Sequence, residues 1–319
     1  MNIFRYLKNI NKKGIQILLY HRVADVASDP QQLCVSKKNF HSQINHIKQN
    51  YEIIKLSDIK GILKNNHIPK NGLIITFDDG YEDNFKNAKP ILEEFNVPAT
   101  FFITSGFIGI NKEFYQETLN RIFFLEKKIP LKLKINIDNK TFIYENLFNE
   151  ENRKKAYRNI HFTLRGKNSL VRRKAIKELL KWSKIVDKPD DDYKNLNETQ
   201  LKLLAKNHSF EIGAHSVNHV PLSSLNIQEQ KEEILNSKLQ IEKILEEKIS
   251  SFAYPYGTKE DYNEETLKIM SQSDFTLSCA NYPGIVKSNT NIHEIPRVVV
   301  RDIKVDNFSK FITNNFYKY

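Results

Sequence analysis

At 319 residues and 37.4 kDa the chain has room for one large or two small domains, and 40% hydrophobic content supplies a real core, which excludes disorder as the main theme. Lys plus Arg number 49 against 38 Asp plus Glu, a formal charge of +11 that permits phosphate, anionic lipid or acidic glycan as partners without choosing among them. Two cysteines, Cys34 and Cys279, are too few for a disulfide framework, and no apolar run approaches the roughly 20 residues that span a bilayer. With no signal-peptide core near the start, the expectation is a soluble, cytoplasmic protein.

Ile15 to Tyr20 reads as a strand, and Ser36 can cap a helix whose apolar positions Phe40, Ile44 and Ile47 recur at helical spacing. Tyr51 to Leu56 reads as a second strand and Leu73 to Asp78 as a buried one. A helix near Asn84 to Phe95 and the apolar run Ala99 to Ile103 follow. Phe210 to Ile212, Ser251 to Tyr254 and Ile295 to Val300 read as later strands, with a long amphipathic helix from Ile227 to Glu247 between the first two. Alternating strands and helices of this kind predict an α/β fold around a mostly parallel sheet.

The rhythm breaks between residues 113 and 195, where a hairpin turning at Asp138 and Asn139 precedes two basic helices. This stretch is expected to be a helical/hairpin insertion, with 15–112 and 196–319 forming the two parts of one domain. It holds 20 Lys plus Arg against 12 Asp plus Glu, so +8 of the net charge is local. Such a run reads first as a solvated helical face and second as an anion-docking surface.

Three clusters carry chemistry. Asp78 and Asp79 end the third strand just before Gly80, whose freedom lets both carboxylates reach one site at the strand's carboxyl end. The alternative is a helix cap by Asp79 with Asp78 in solvent. His215 and His219, four apart on a presumed helical turn, can converge on one metal, or they can belong to a surface turn closed by Pro221. In Ser251 to Gly257, Pro255 and Gly257 can aim an amide such as that of Tyr256 inward as an oxyanion donor, or form an ordinary β-turn. His21, at the first strand's end, could donate a proton; a lone histidine there is more often structural.

Together and in this order, these residues resemble the polysaccharide deacetylase family, carbohydrate esterase family 4, with its NodB-homology domain. Thr76 to Gly80 matches the motif T-F-D-D-G, His215 to His219 matches H-[ST]-x-x-H, and Phe252 to Gly257 matches the R-x-P-[FY]-G region. The resemblance implies a distorted (β/α)7 barrel, Asp78 as general base, and Asp79, His215 and His219 holding a divalent metal, Zn²⁺ for a His₂Asp set. It implies Tyr256 as a backbone oxyanion donor. Two departures stand out. Ala253 occupies the family's arginine position, and Arg297 resembles the late arginine of exported-glycan deacetylases, so Arg297 is expected to pair with Asp78. No late L-x-H motif is present in its usual form; Leu19, Tyr20 and His21 resemble it at the opposite end, making His21 the expected acid and His293 the alternative.

The function expected is removal of acetyl groups from N-acetylated sugars of a bacterial polysaccharide or lipid-linked glycan precursor, as in surface-glycan biosynthesis. A sugar O-acetyl esterase, or a catalytically silent glycan-binding protein, is the alternative. The basic stretch allows peripheral association with an anionic membrane. Nucleic acid is not expected as a partner, because the aromatic and basic spacing of common nucleic-acid modules is missing.

Overall fold

Residues 14–319 are described by a computed structural model of the chain. Along them run β1 (Ile15–Tyr20), β2 (Arg22–Val23), β3 (Cys34–Val35), β4 (Glu52–Ile53), β5 (Gly72–Phe77), β6 (Ala99–Ile103), β7 (Leu133–Ile137), β8 (Lys140–Tyr144), β9 (Phe210–Ala214), β10 (Ser251–Ala253), β11 (Leu277–Cys279) and β12 (Val298–Val299). The central sheet is parallel, in the order β12-β1-β5-β6-β9-β10-β11, with β4 beside β5. Spatial order therefore repeats chain order, as in a (β/α)7 barrel.

Side-chain alternation along each strand sorts residues between two cores. Ile15, Ile17, Ile74, Phe102, Ala253, Leu277 and Cys279 face the barrel interior. Leu18, Tyr20, Leu73, Ile75, Phe77, Phe101 and Phe252 face outward, against helical residues such as Phe40, Ile44, Ile234 and Ile241. Burial on both faces is why these strands read as continuous apolar runs. The same alternation continues past the strand ends, so Thr76 and Asp78 follow Ile74 inward.

One segment closes the barrel. Ile295 pairs with Cys279 of β11, and three residues later Val298 pairs with Leu18 of β1. The strand expected over Ile295 to Val300 is thus only Val298–Val299, because the segment changes partner midway. The expected second strand also shrinks, to Glu52–Ile53, since Leu56–Asp58 turns into a 3₁₀ helix. In the helix after Asp83, a wide π turn (Asn84–Ala88) precedes the α-helix Lys89–Glu94; Pro90 lacks the N–H that regular α-helical bonding would use there. A C-terminal helix, Val305–Lys318, covers the helix Lys37–Asn50 through Phe308 and Ile312; the sequence reading assigned it no element.

Residues 115–180 build a separate hydrophobic cluster in which Leu119, Phe123, Ile135, Ile160, Leu164 and Leu179 are buried. It contains the antiparallel hairpin β7–β8 and the helices Glu150–Arg165 and Ser169–Ser183. Asp138 and Asn139, at φ 48° and 65°, form the hairpin turn, which the right-handed twist of the strands favours. No helix among the described residues is long and apolar enough to cross a membrane.

Candidate metal centre and active-site cavity

The two aspartates are brought together by a backbone reversal. The Asp78 amide donates to the Tyr20 carbonyl at 3.0 Å, prolonging the sheet by one residue. Asp79 (φ 77°) and Gly80 (φ 84°) then adopt left-handed backbone, and the Gly80 amide closes the turn on the Asp78 carbonyl at 3.0 Å. Adjacent carboxylates that would face opposite sides of a strand end in one cavity.

The histidine pair does not sit on a helical turn. Ser216 (φ 61°) and His219 (φ 51°) are left-handed, and residues 216–219 form a tight loop after β9. The Glu233 carboxylate accepts from the amides of Val217 and Asn218 at 2.9 and 2.8 Å, and Ser216 Oγ accepts from the His219 amide at 3.0 Å. The Gly106 amide donates to the Val217 carbonyl at 3.0 Å, an approach so close that a Cβ on residue 106 would lie 2.5 Å from that oxygen. The two imidazole centroids are 5.1 Å apart as a result. Non-glycine residues pay on the order of 1–3 kcal/mol for such backbone, and four of them, Asp79, Ser216, His219 and Tyr256 (φ 59°), gather around this site.

Asp79 Oδ1 lies 3.4 Å from His215 Nε2 and 3.1 Å from His219 Nε2. The three groups are buried and their ligand atoms lie within 4.8 Å of one another. His215 Nδ1 donates to the Ala253 carbonyl at 2.8 Å, which leaves Nε2 with its lone pair directed at the cluster. Asp79 Oδ1 is buried and finds no hydrogen-bond partner. An orphaned carboxylate oxygen between two imidazole nitrogens, one of fixed tautomer, fits a divalent cation.

The neighbouring charges are consistent with that donor set. Burial alone would raise Asp78, but Arg297, with help from His215, holds its carboxyl below the usual range. Asp79, also opposed by burial, is held well below it by His219 and His215. His215 is pushed down by burial yet raised on balance by Asp78 and Asp79, whereas burial outweighs the pull of Asp79 on His219 and keeps it low. The carboxylates therefore draw positive charge, which a proton or a cation can supply.

A cavity of about 230 Å³ opens over this cluster, lined by His21, Asp78, Asp79, His215, His219 and Tyr256. Arg297 lies behind Asp78, fully buried, and Thr76 Oγ1 accepts from it at 3.2 Å. The Tyr256 amide has no acceptor among the described residues, and its ring packs 4.7 Å from that of His219. His21 is kept below its ordinary pKa by burial, against the pull of Asp79 and Asp78. His293 is not among the residues lining the cavity: its Nδ1 lies 3.2 Å from Ser278 Oγ, because the segment ahead of Ile295 pairs with β11 below the site.

The sequence reading missed Gln116, His161 and Arg165, which reach the cavity from residues 113–195, and Arg301. Arg165 is held over the Tyr256 ring, 4.5 Å from its centroid, by Asp261 at 2.6 and 2.7 Å. Nothing in the basic run distinguishes this arginine from its exposed neighbours.

The polysaccharide deacetylase profile matches residues 65–129 and 181–278. YxkH of Bacillus subtilis (strain 168) is 21% identical over 297 residues, 92% of this chain and 74% of that protein. A poly-beta-1,6-N-acetyl-D-glucosamine N-deacetylase of Staphylococcus aureus (strain N315) is 33% identical over 95 residues, covering only 30% of this chain and 31% of that one. Among solved structures, Streptococcus pyogenes deacetylase PplD in complex with acetate superposes with a TM-score of 0.61 at 20% identity, over 94% of this chain and 98% of that one. IcaB from Ammonifex degensii gives 0.59 at 15%, over 96% and 98%. At these identities the structures speak for the fold. The two profile segments span half of the sequence and carry both the aspartate pair and the histidine pair, and on that ground the chain belongs to the polysaccharide deacetylase family of hydrolases.

Proposed function

We propose that the protein is a metal-dependent N-deacetylase acting on N-acetylhexosamine units of a bacterial polysaccharide or lipid-linked glycan precursor. The observation that carries this is the unpartnered Asp79 Oδ1 between two imidazole nitrogens, beside a second carboxylate kept ionised by Arg297. The staphylococcal relative's named substrate supports an N-acetylglucosamine-containing glycan.

In this reading Asp79, His215 and His219 hold the metal, and the His₂Asp set favours Zn²⁺. Bound there, a divalent cation supplies Lewis acidity toward the acetyl carbonyl and toward attacking water. Asp78, buried and paired with Arg297, takes the proton of that water. The free Tyr256 N–H donates to the oxyanion as the carbonyl carbon becomes tetrahedral. His21 hands a proton to the departing amine. Docking of the basic stretch 113–195 on anionic lipid, in a cytoplasmic protein, belongs to the same reading and rests on its charge.

One observation favours a second reaction. Burial holds His21 below its ordinary pKa, and an O-acetyl ester, with its better leaving group, needs less help from an acid than an amide does. Metal content and acetate release from N-acetylhexosamine oligosaccharides, for the native chain, Asp78→Asn and His215→Ala, test the proposal. Asp78→Asn is expected to keep metal and lose turnover, and His215→Ala to lose both. Equal activity in all three would remove the assignment.

A further inference from the structure

Arg172, on the helix Ser169–Ser183, is buried with 6% exposure, and its guanidinium meets no carboxylate among the described residues. Its partners are three carbonyls. Nε donates to Leu164 at 2.9 Å, Nη2 to Arg165 at 2.5 Å, and Nη1 to His219 at 2.7 Å. One face lies over Tyr115, 4.8 Å from the ring centroid. Leu164 and Arg165 end the helix Glu150–Arg165, where the helix dipole is negative, so a cation is well placed there. The third carbonyl belongs to the loop after β9.

Five other backbone groups of that loop are tied down, through Glu233 on two amides, Ser105 and Gly106 on two carbonyls, and the loop's own Ser216 Oγ on the His219 amide. Among the described residues the His219 carbonyl is held by Arg172 alone. His219 has left-handed backbone, a conformation that persists only where the surroundings enforce it. Removing the guanidinium leaves a buried acceptor unsatisfied, and rotation of the 219–220 peptide toward another donor would swing the imidazole away from Asp79.

We propose that Arg172 is a positioning residue for the metal centre: it fixes the carbonyl of His219, and with it the imidazole, so that the inserted stretch is part of the site. The same guanidinium holds the Arg165 carbonyl, coupling one wall of the cavity to the loop that carries His219. This inference rests on the assignment of Asp79, His215 and His219 as metal ligands.

The test is equilibrium binding of Zn²⁺ by chelator competition and the visible spectrum of the Co²⁺-loaded protein, for the native chain, Arg172→Met, Arg172→Lys and Arg173→Ala, with circular dichroism as the check of folding. Arg172→Met keeps the stem over Tyr115 but no donor, and is expected to weaken Zn²⁺ binding about tenfold or more and to shift the Co²⁺ bands. Arg172→Lys, which can reach only part of the carbonyl trio, should fall between. Arg173→Ala, exposed on the same helix, should match the native chain. Native affinity and spectrum in folded Arg172→Met would overturn the proposal; should that variant not fold, native values in Arg172→Lys would do so. If the native chain binds neither ion, the metal assignment fails first and the role of Arg172 with it.

Discussion

Arg297 and Asp78, 219 residues apart in the chain, meet through two nitrogens and two oxygens at 2.7 and 2.6 Å with both side chains sealed from solvent. The arginine's Nε donates to the Ala280 carbonyl at 2.9 Å, and its guanidinium lies 5.3 Å from the Phe102 ring centroid. Ala253, at the position where the family motif has arginine, is small and faces the same interior. The fork-to-fork contact gives orientation as well as charge.

Arg297→Gln removes the cation that keeps Asp78 ionised. Its carboxyl pKa should rise, because no guanidinium then offsets the burial of its charge. The acid limb of kcat/KM should shift to higher pH, with turnover lower at pH 7. A pH–rate profile checks this, and an unmoved acid limb would count against Asp78 as base.

His21→Asn separates the two leaving groups. Loss of a positioned acid costs typically about 10²–10⁴-fold where the leaving amine must be protonated. Amide hydrolysis should fall into that range, while hydrolysis of an activated acetate ester should change far less. Parallel losses on both substrates would show that His21 acts otherwise.

Arg165→Gln tests the cavity wall contributed by residues 113–195. Nε and Nη1 of Arg165 have no partner among the described residues, and both are left for a glycan in the cavity. Asp261 keeps its bonds from the Thr258 amide and hydroxyl. A hydrogen bond to a charged donor contributes about 1.5–3 kcal/mol, so KM for an oligosaccharide should rise roughly tenfold or more, with kcat and metal content little changed. Steady-state kinetics on oligosaccharides read the split; a fall in kcat at unchanged KM would contradict it.

Glu117 sets a pH dependence of stability. Burial raises its carboxyl from 4.5 to about 7, against the pull of Arg22 and the Tyr81 hydroxyl, which donates to Oε1 at 2.7 Å. Between those two values the folded chain binds more proton than the unfolded one, so this group's contribution declines as pH rises through the window and is flat above it. The whole effect is on the order of 3 kcal/mol. Glu117→Gln keeps an acceptor for Tyr81 without the charge, and should gain stability on the native chain between pH 4.5 and 8. Urea unfolding at both pH values measures it; parallel changes would exclude Glu117 as the source.

The strands that line the barrel were legible because burial on both faces demands unbroken apolar runs, and T-F-D-D-G and H-[ST]-x-x-H could be read because each is local. The hairpin turn at Asp138 and Asn139 was readable for the same reason: the φ values it needs are a property of its own two residues. What only the tertiary structure decided is which distant groups face one another. The His219 backbone is left-handed because Glu233, Gly106 and Arg172 hold it so, and no local periodicity encodes that. Arg165 and Arg172 belong to a basic run whose other members are mostly solvated, and their distinct surroundings arise from packing of the helices Glu150–Arg165 and Ser169–Ser183 on the barrel. A sequence specifies side-chain chemistry and local backbone preference; the partners of a buried charge depend on long-range packing, which places residues hundreds of positions apart within hydrogen-bonding distance.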